Sequence, residues 1–311
     1  MAFLLGFSLI LFLFLFLCYL VYRKTFYNKK GRKRDASIVP KGEQYALHRE
    51  RIDALSSEMK GRNWEHINIR ARDGVRLAAL YHHISDNAPL HIQFHGYRGS
   101  PYRDFCGGNK LARDMGHNTL VICQRAHNES GGHTISFGIK ERFDCLSWID
   151  YAIRRFGADK KIIISGLSMG ASTVLMAAAE PLPDNVCGII ADCPYSSPKE
   201  IILKVCASMG LPKRICYPLI YFGALIFGGF RLTECDSLRG AEKAKIPVLL
   251  IHGEADDFVP VEMSRKIAAA NPQMVRFHTF PGAGHGLSYM VSWEEYTRIM
   301  VDFINEVVGT P

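Results

Sequence analysis

The stretch Gly166-Leu167-Ser168-Met169-Gly170 lies between the β-branched run Lys161-Ile162-Ile163-Ile164-Ser165 and the small-residue run 171–179. A β-branched run favours a buried strand and an Ala/Leu/Met run favours a helix, so these five residues must turn the chain sharply from one into the other. Small residues on both sides of the serine permit that turn and leave the hydroxyl clear of the backbone. The pattern is that of a nucleophile elbow, and it restricts the chain to folds that offer strand, tight turn and helix in that order. A bare G-x-S-x-G also arises by chance as a glycine-rich turn; the flanking strand and helix give it weight here.

The segments around the elbow continue the alternation. Runs 64–70 and 75–82 flank Asp73-Gly74, a dipeptide suited to a tight hairpin. Further strands are predicted at 89–94, 118–123, 186–192, 248–252 and 275–280, and helices at 104–115, 140–156, 261–270 and 293–308. Strands alternating with helices make a mostly parallel sheet covered on both faces, with the hairpin as an antiparallel edge. One sheet means one domain, expected over 61–311. Residues 194–245 interrupt the series with a connection far longer than two neighbouring elements require. Within it, the uncharged run 217–230 is too short to cross a bilayer and holds three glycines that weaken a helix. The expectation is a helical cap insertion over the site, lining an acyl-binding pocket; an ordinary core helix is the alternative.

Residues 2–22 carry no charged side chain and are dominated by Leu and Phe. A helix of that length spans about 30 Å, the thickness of a bilayer core. A cleaved signal peptide would want a basic start, a shorter apolar core and a small-x-small site, none of which is present. Residues 1–22 are therefore expected to be a transmembrane anchor and 23–60 a basic juxtamembrane segment and a linker that runs into a helix. Seven cations lie between Arg23 and Arg34, before the first acid at Asp35, and account for most of the net charge of +8, leaving +1 for the other 277 residues. That balance gives no nucleic-acid footprint. A basic cluster after the span predicts an outside N-terminus and a cytoplasmic body, and could rest on anionic headgroups. Nine cysteines, with Cys18 inside the span, show neither C-x-x-C pairs nor zinc spacing and read as buried free thiols.

A serine hydroxyl needs a base to become a nucleophile, and the base needs a third group to orient it. His285, in Pro281-Gly282-Ala283-Gly284-His285-Gly286 directly after the last predicted strand, is the expected base, with His127 a weak alternative. The segment after strand 248–252 offers three acids, with Asp256 ahead of Asp257 and Glu254. Negative charge developing on a carbonyl oxygen requires preorganised donors. The backbone N–H groups of Met169 and of Tyr97, in His95-Gly96-Tyr97-Arg98-Gly99-Ser100, are expected to supply them. His95 is expected to shape that turn, and Arg98 to be solvated or to meet an acidic substrate group. This chemistry calls for no metal and no organic cofactor.

His95-Gly96-Tyr97-Arg98-Gly99, the elbow, His252-Gly253-Glu254-Ala255-Asp256 ending in Val259-Pro260, and Gly282-Ala283-Gly284-His285 stand in the order seen in α/β-hydrolases. From about 64 to 308 the chain resembles the serine-aminopeptidase-like group, which includes many bacterial esterases and acylglycerol lipases, and among membrane-anchored proteins it is similar to the Bem46-like hydrolases. The resemblance implies that Asp256 is the acid, since the group places its acid with two residues between it and the Val-Pro pair, and that a cap follows the strand ending at Asp192. The expected function is a serine hydrolase; the anchor and the apolar insertion favour small-molecule or lipid acyl esters, with an aminopeptidase, a thioesterase or a non-catalytic anchored interaction protein as alternatives. The chain departs from the group in Arg125-Ala126-His127-Asn128-Glu129-Ser130, where a glycine is often found at the position of Asn128.

Overall fold

The computed structural model describes residues 1–29 and 42–309. Eight strands form one sheet: β1 Glu65–Arg70, β2 Arg76–His82, β3 Leu90–Phe94, β4 Asn118–Cys123, β5 Ile162–Leu167, β6 Val186–Asp192, β7 Val248–Gly253 and β8 Val275–Phe280. Their spatial order is β1-β2-β4-β3-β5-β6-β7-β8. The β1–β2 and β2–β4 pairs are antiparallel and every other pair is parallel. The Asp73-Gly74 turn therefore places its hairpin at the antiparallel edge, as its residues predict, with Gly74 at φ 81°.

Among the described residues, twelve helices accompany the sheet. They are α1 Ala2–Thr25, α2 Glu43–Ala46, α3 Arg49–Lys60, α4 Pro101–Asp114, α5 Glu141–Phe156, α6 Met169–Ala177, α7 Pro198–Ser208, α8 Lys213–Gly223, α9 Ser237–Lys243, α10 Val261–Ala270, α11 Ser288–Val291 and α12 Trp293–Val308, with a π-helical turn Ala224–Gly228 after α8. On one face, Trp148 and Ile149 of α5 and Val174 of α6 pack with Ile92, Ile164 and Leu250 in the main core. On the other, Ile299, Phe303 and Ile304 of α12 pack with Ile163, Ile190 and Leu249. Successive strand residues face opposite sides, so the central strands carry apolar side chains on both and read as continuous hydrophobic runs.

The linker runs into a helix, as its residues predict, and α3 buries Ile52 and Met59 against the body, Met59 beside Trp64 and Phe105. Two regions differ from what the sequence suggests. The helix α1 runs on past residue 22, is long and apolar enough to cross a membrane by length and composition, and buries its end. Phe26 is fully buried among Phe137 and Phe230, and Cys18 is fully buried as well. A phenylalanine buried in this way contributes about 2 to 3 kcal/mol. The insertion between β6 and β7 is helical, but its apolar stretch does not roof the site. It lies on α1, where Gly223 lets the helices approach so closely that a Cβ would stand 2.8 Å from the Cys18 carbonyl oxygen. Lys30, Arg32, Lys33 and Arg34 of the basic cluster lie outside the described residues.

Candidate active site

The elbow is set by close approach. A Cβ at Gly166 would be driven into the backbone of Gly170, and one at Gly170 into the Phe94 carbonyl, so only glycine lets strand, turn and helix pack at this spacing. Ser168 itself sits at φ 55° and ψ −115°, a strained conformation for a residue with a Cβ. Its amide donates to the Asp192 carbonyl at the end of β6 (2.8 Å), which fixes the turn against the neighbouring strand.

The structure brings Ser168, His285 and Asp256 together at the carboxyl ends of β5, β8 and β7. Asp256, as a carboxylate, only accepts, so His285 carries its proton on Nδ1 and donates it to Asp256 Oδ2 (2.7 Å). That leaves the Nε2 lone pair to accept from the Ser168 hydroxyl at 2.9 Å. Of the three acids after β7, only Asp256 is turned to the ring. Glu254 accepts from Thr279 Oγ1, and Asp257 Oδ1 faces Gln44.

Asp256 is built to stay charged. Burial opposes its charge, but hydrogen bonds from His252 and His285 outweigh burial and hold the carboxyl well below the usual carboxylate range. The amides of Phe258 and Val259 also donate to its Oδ1, at 3.0 and 2.8 Å. His252 stands 3.2 Å from Asp256 Oδ2 through Nε2, and the same nitrogen faces the Val259 carbonyl at 2.8 Å. A carbonyl only accepts, so that nitrogen bears hydrogen, and Ser264 donates to Nδ1 at 2.6 Å. This supporting histidine lies inside the motif that marks Asp256, yet nothing in the sequence distinguishes it from an ordinary core histidine.

The loop after β3 runs alongside the serine. A Cβ at Gly96 would lie 3.4 Å from Ser168 Cβ. The Gly96 amide donates to Asp104 Oδ2 (2.8 Å), and Arg103 Nε donates to the other oxygen of the same carboxylate at 2.5 Å. These bonds hold the Gly96–Tyr97 turn beside Ser168, and Met169, the first residue of α6, has an amide without an intrahelical partner at the positive end of the helix. His95 shapes the turn: its Nε2 accepts from the Gln124 amide, so Nδ1 donates to the Gly96 carbonyl. His127 is no alternative base. Its Nε2 accepts from the Arg98 amide (2.9 Å), its Nδ1 donates to the Arg125 carbonyl, and burial pulls its pKa down to about 3. Asn128 takes φ 45°, a left-handed backbone that asparagine tolerates, so the loop keeps a turn that glycine would also make.

Tyr97 and Arg98 also reach the end of α1. The Tyr97 hydroxyl donates to the Thr25 carbonyl at 2.7 Å, and Arg98 Nη2 donates to the carbonyls of Lys24 (2.8 Å) and Tyr27 (3.3 Å). Arg98 thus holds the end of α1, which is neither of the roles that the sequence suggests for it. Residues 26–28 are stitched to 133–135 through Ile135 N–H to Phe26 O, Asn28 N–H to His133 O and the antiparallel bridge of Tyr27 with Thr134.

A cavity of about 1120 Å³ opens beside Ser168 and His285. Gln44 and Tyr45 wall one side, and the Tyr45 hydroxyl donates to the His285 carbonyl at 2.8 Å. Among the described residues lining this cavity none belongs to 194–245, so the insertion does not line it as expected. Its apolar face is spent on Tyr22, Phe26 and their neighbours instead. Deeper in, Asp192 is pushed up to about 6 by burial, opposed by the Tyr296 hydroxyl that donates to Oδ2 at 3.0 Å. Cys193, Asp256 and His285 offer ligand atoms within 4.8 Å of one another, a spacing that could hold a metal. Burial pushes the thiol of Cys193 well up, so it stays protonated and is a poor ligand.

The family model described as the alpha/beta hydrolase fold matches residues 92–213, and that of the prolyl oligopeptidase family matches residues 231–311. The YqkD protein of Bacillus subtilis is 28% identical over 198 residues, which cover 63% of this chain and 65% of YqkD, just under two thirds of its length. Protein bem46 of Schizosaccharomyces pombe is 24% identical over 258 residues, covering 80% of this chain and 79% of the relative. Among solved structures, the Pyrococcus furiosus esterase Pf2001 superposes with a TM-score of 0.66 at 23% identity, over 81% of this chain and 94% of the other. Est1E from Butyrivibrio proteoclasticus, solved with ferulic acid bound, gives 0.59 at 22% identity, over 78% and 100%. At these identities the structures speak for the fold.

Proposed function

We propose that this chain, an α/β-hydrolase of the Bem46-like kind, is a membrane-anchored serine hydrolase that cleaves carboxylic esters. The observation that carries the reading is the unbroken line from Ser168 Oγ to His285 Nε2 and from His285 Nδ1 to Asp256 Oδ2, at 2.9 and 2.7 Å, on a strained elbow. His285 takes the serine proton as Oγ attacks the ester carbonyl, and Asp256 stabilises the imidazolium that forms. The amides of Met169 and Tyr97 receive the oxyanion. His285 returns the proton to the departing alcohol, leaving an acyl group on Ser168, and water then releases the acid by the same steps in reverse. Each group needed is supplied by the chain. The span of α1 and the esterase neighbours favour acyl esters, small or lipidic, as substrates. With the basic cluster after the span, the body belongs on the cytoplasmic side; protection of the C-terminus from protease in sealed inverted vesicles would contradict that orientation.

The decisive experiment is a panel of p-nitrophenyl esters of increasing chain length beside aminoacyl anilides, run on wild type and Ser168→Ala. Esters are expected to turn over faster, and only in the wild type. A second reading, peptide-bond cleavage, is favoured by the prolyl oligopeptidase match over residues 231–311, and faster turnover of anilides would establish it. A folded protein that failed to react with a fluorophosphonate would overturn the enzymatic reading altogether.

A further inference from the structure

The first exposed stretch of α1, residues 3–13, rises about 16 Å, roughly half the thickness of a bilayer core. If α1 crosses a membrane, as the proposed function has it, the residues up to Tyr22 must lie in the hydrocarbon too. That lower half is not bare. Phe14 meets Phe222 edge to face at 5.6 Å, Tyr19 meets Phe227 at 5.3 Å, and Cys18 packs against Gly223. The exposed side chains of the same half are Phe16, Leu17, Tyr19 and Leu20, none of them charged, and the first charge below them is Arg23. The end of α8 and the π-helical turn are therefore fixed at the depth of the middle and lower span.

We infer that this part of the insertion is itself immersed in the acyl-chain region of the leaflet next to the hydrolase body. Its outer surface suits that solvent. Phe222, Ile226 and Phe227 remain 39, 48 and 37% exposed, and Ile215 is exposed one end further along α8. Residues 215–230 carry no charge, and cations stand on both sides at Lys213, Arg214 and Arg231. An apolar patch facing water calls for a cover. Lipid is the cover that fits, because the patch is continuous with the exposed face of α1 and held at the same height. A run of this length cannot cross the membrane, so it enters one leaflet and returns. Through the bond of Tyr97 to the Thr25 carbonyl, the same immersion sets the turn beside Ser168 close to the leaflet surface, where a lipid acyl ester presents its carbonyl.

The test places a new tryptophan in the full-length protein reconstituted in phosphatidylcholine vesicles whose acyl chains carry bromine at mid-chain or near the headgroup. Leu17→Trp reports the span, Phe222→Trp and Ile226→Trp report the insertion, and Glu242→Trp on the exposed end of α9 is the reference; the emission of Trp64, Trp148 and Trp293 is common to all and is subtracted. Expected is a loss of emission in both insertion variants comparable to that in Leu17→Trp, with none in the reference. The two insertion sites are read separately, so misfolding of one leaves the other as the test. Quenching at Leu17 with both insertion sites bright would overturn the inference while leaving the span intact. No quenching at Leu17 would overturn the span and the inference with it.

Discussion

The two walls of the reaction centre are held by different parts of the chain. Ser168, His285 and Asp256 stand on strand ends of one sheet and are tied to one another, to His252 and to backbone amides of the same loops. The Gly96–Tyr97 turn is anchored inward through Asp104 and outward through α1, a segment some seventy residues earlier in the chain. The proposed nucleophile, base and acid are thus held by the sheet, whereas one of the two proposed oxyanion donors answers also to the N-terminal helix. Changes to the first wall should abolish the reaction; changes to the second should tune it.

The largest effect is expected from Ser168→Ala, which should lower ester hydrolysis by at least about 10³-fold and end fluorophosphonate labelling, since the remaining groups retain only residual catalysis. Asp256→Asn should follow, with kcat falling by about 10²- to 10⁴-fold while the fold survives by urea denaturation, because the ring then loses its orienting charge. Parity of Asp256→Asn with wild type would hand the role to another acid and dissolve the first wall as described. Below the site, the Asp192 carboxyl, at about 6 when folded against an ordinary 3.8, binds its proton more tightly in the folded protein. Stability should therefore fall as pH rises through that window. Asp192→Asn keeps an acceptor for Tyr296 and removes the buried charge, so it should gain up to about 3 kcal/mol at pH 8 and almost nothing below about pH 4. Equal gains in urea midpoint at both pH values would point to packing instead. The smallest effect, and the sharpest probe of the second wall, is Tyr97→Phe. Loss of its bond to Thr25 is expected to lower kcat up to about tenfold with KM and thermal midpoint little changed; an unchanged kcat would make α1 a tether and nothing more.

What the sequence discloses and what it hides divide along the same line. Strands 118–123 and 186–192 stand where hydropathy places them because burial on both faces writes itself into each run, and edge strand 275–280 and helix 261–270 because one apolar side of each faces the core. The elbow, Asp256 and His285 are legible because glycines and prolines punctuate their loops. The link between α1 and the turn beside Ser168 is not, since Arg98 and Tyr97 bind carbonyls of Lys24, Thr25 and Tyr27, and a carbonyl has no residue type. The insertion at 217–230 shows the same limit from another side: composition marks it as apolar but does not say which apolar surface it meets. Over 42–60 the sequence marks a polar linker running into a helix, but with so many charges it does not say that α3 buries Ile52 and Met59.

The bridge between Tyr27 and Thr134 gives α1 a rotational phase. An α-helix turns by about 100° per residue, so one residue added between Phe14 and Tyr22 would swing Phe14 away from Phe222 while the seam at 26–28 held. A whole turn added before Phe14 would leave every one of these pairings in place. The helix is therefore free in length at its far end and keyed in angle at its near end, and the body it carries can present only one side to any bilayer that the helix spans.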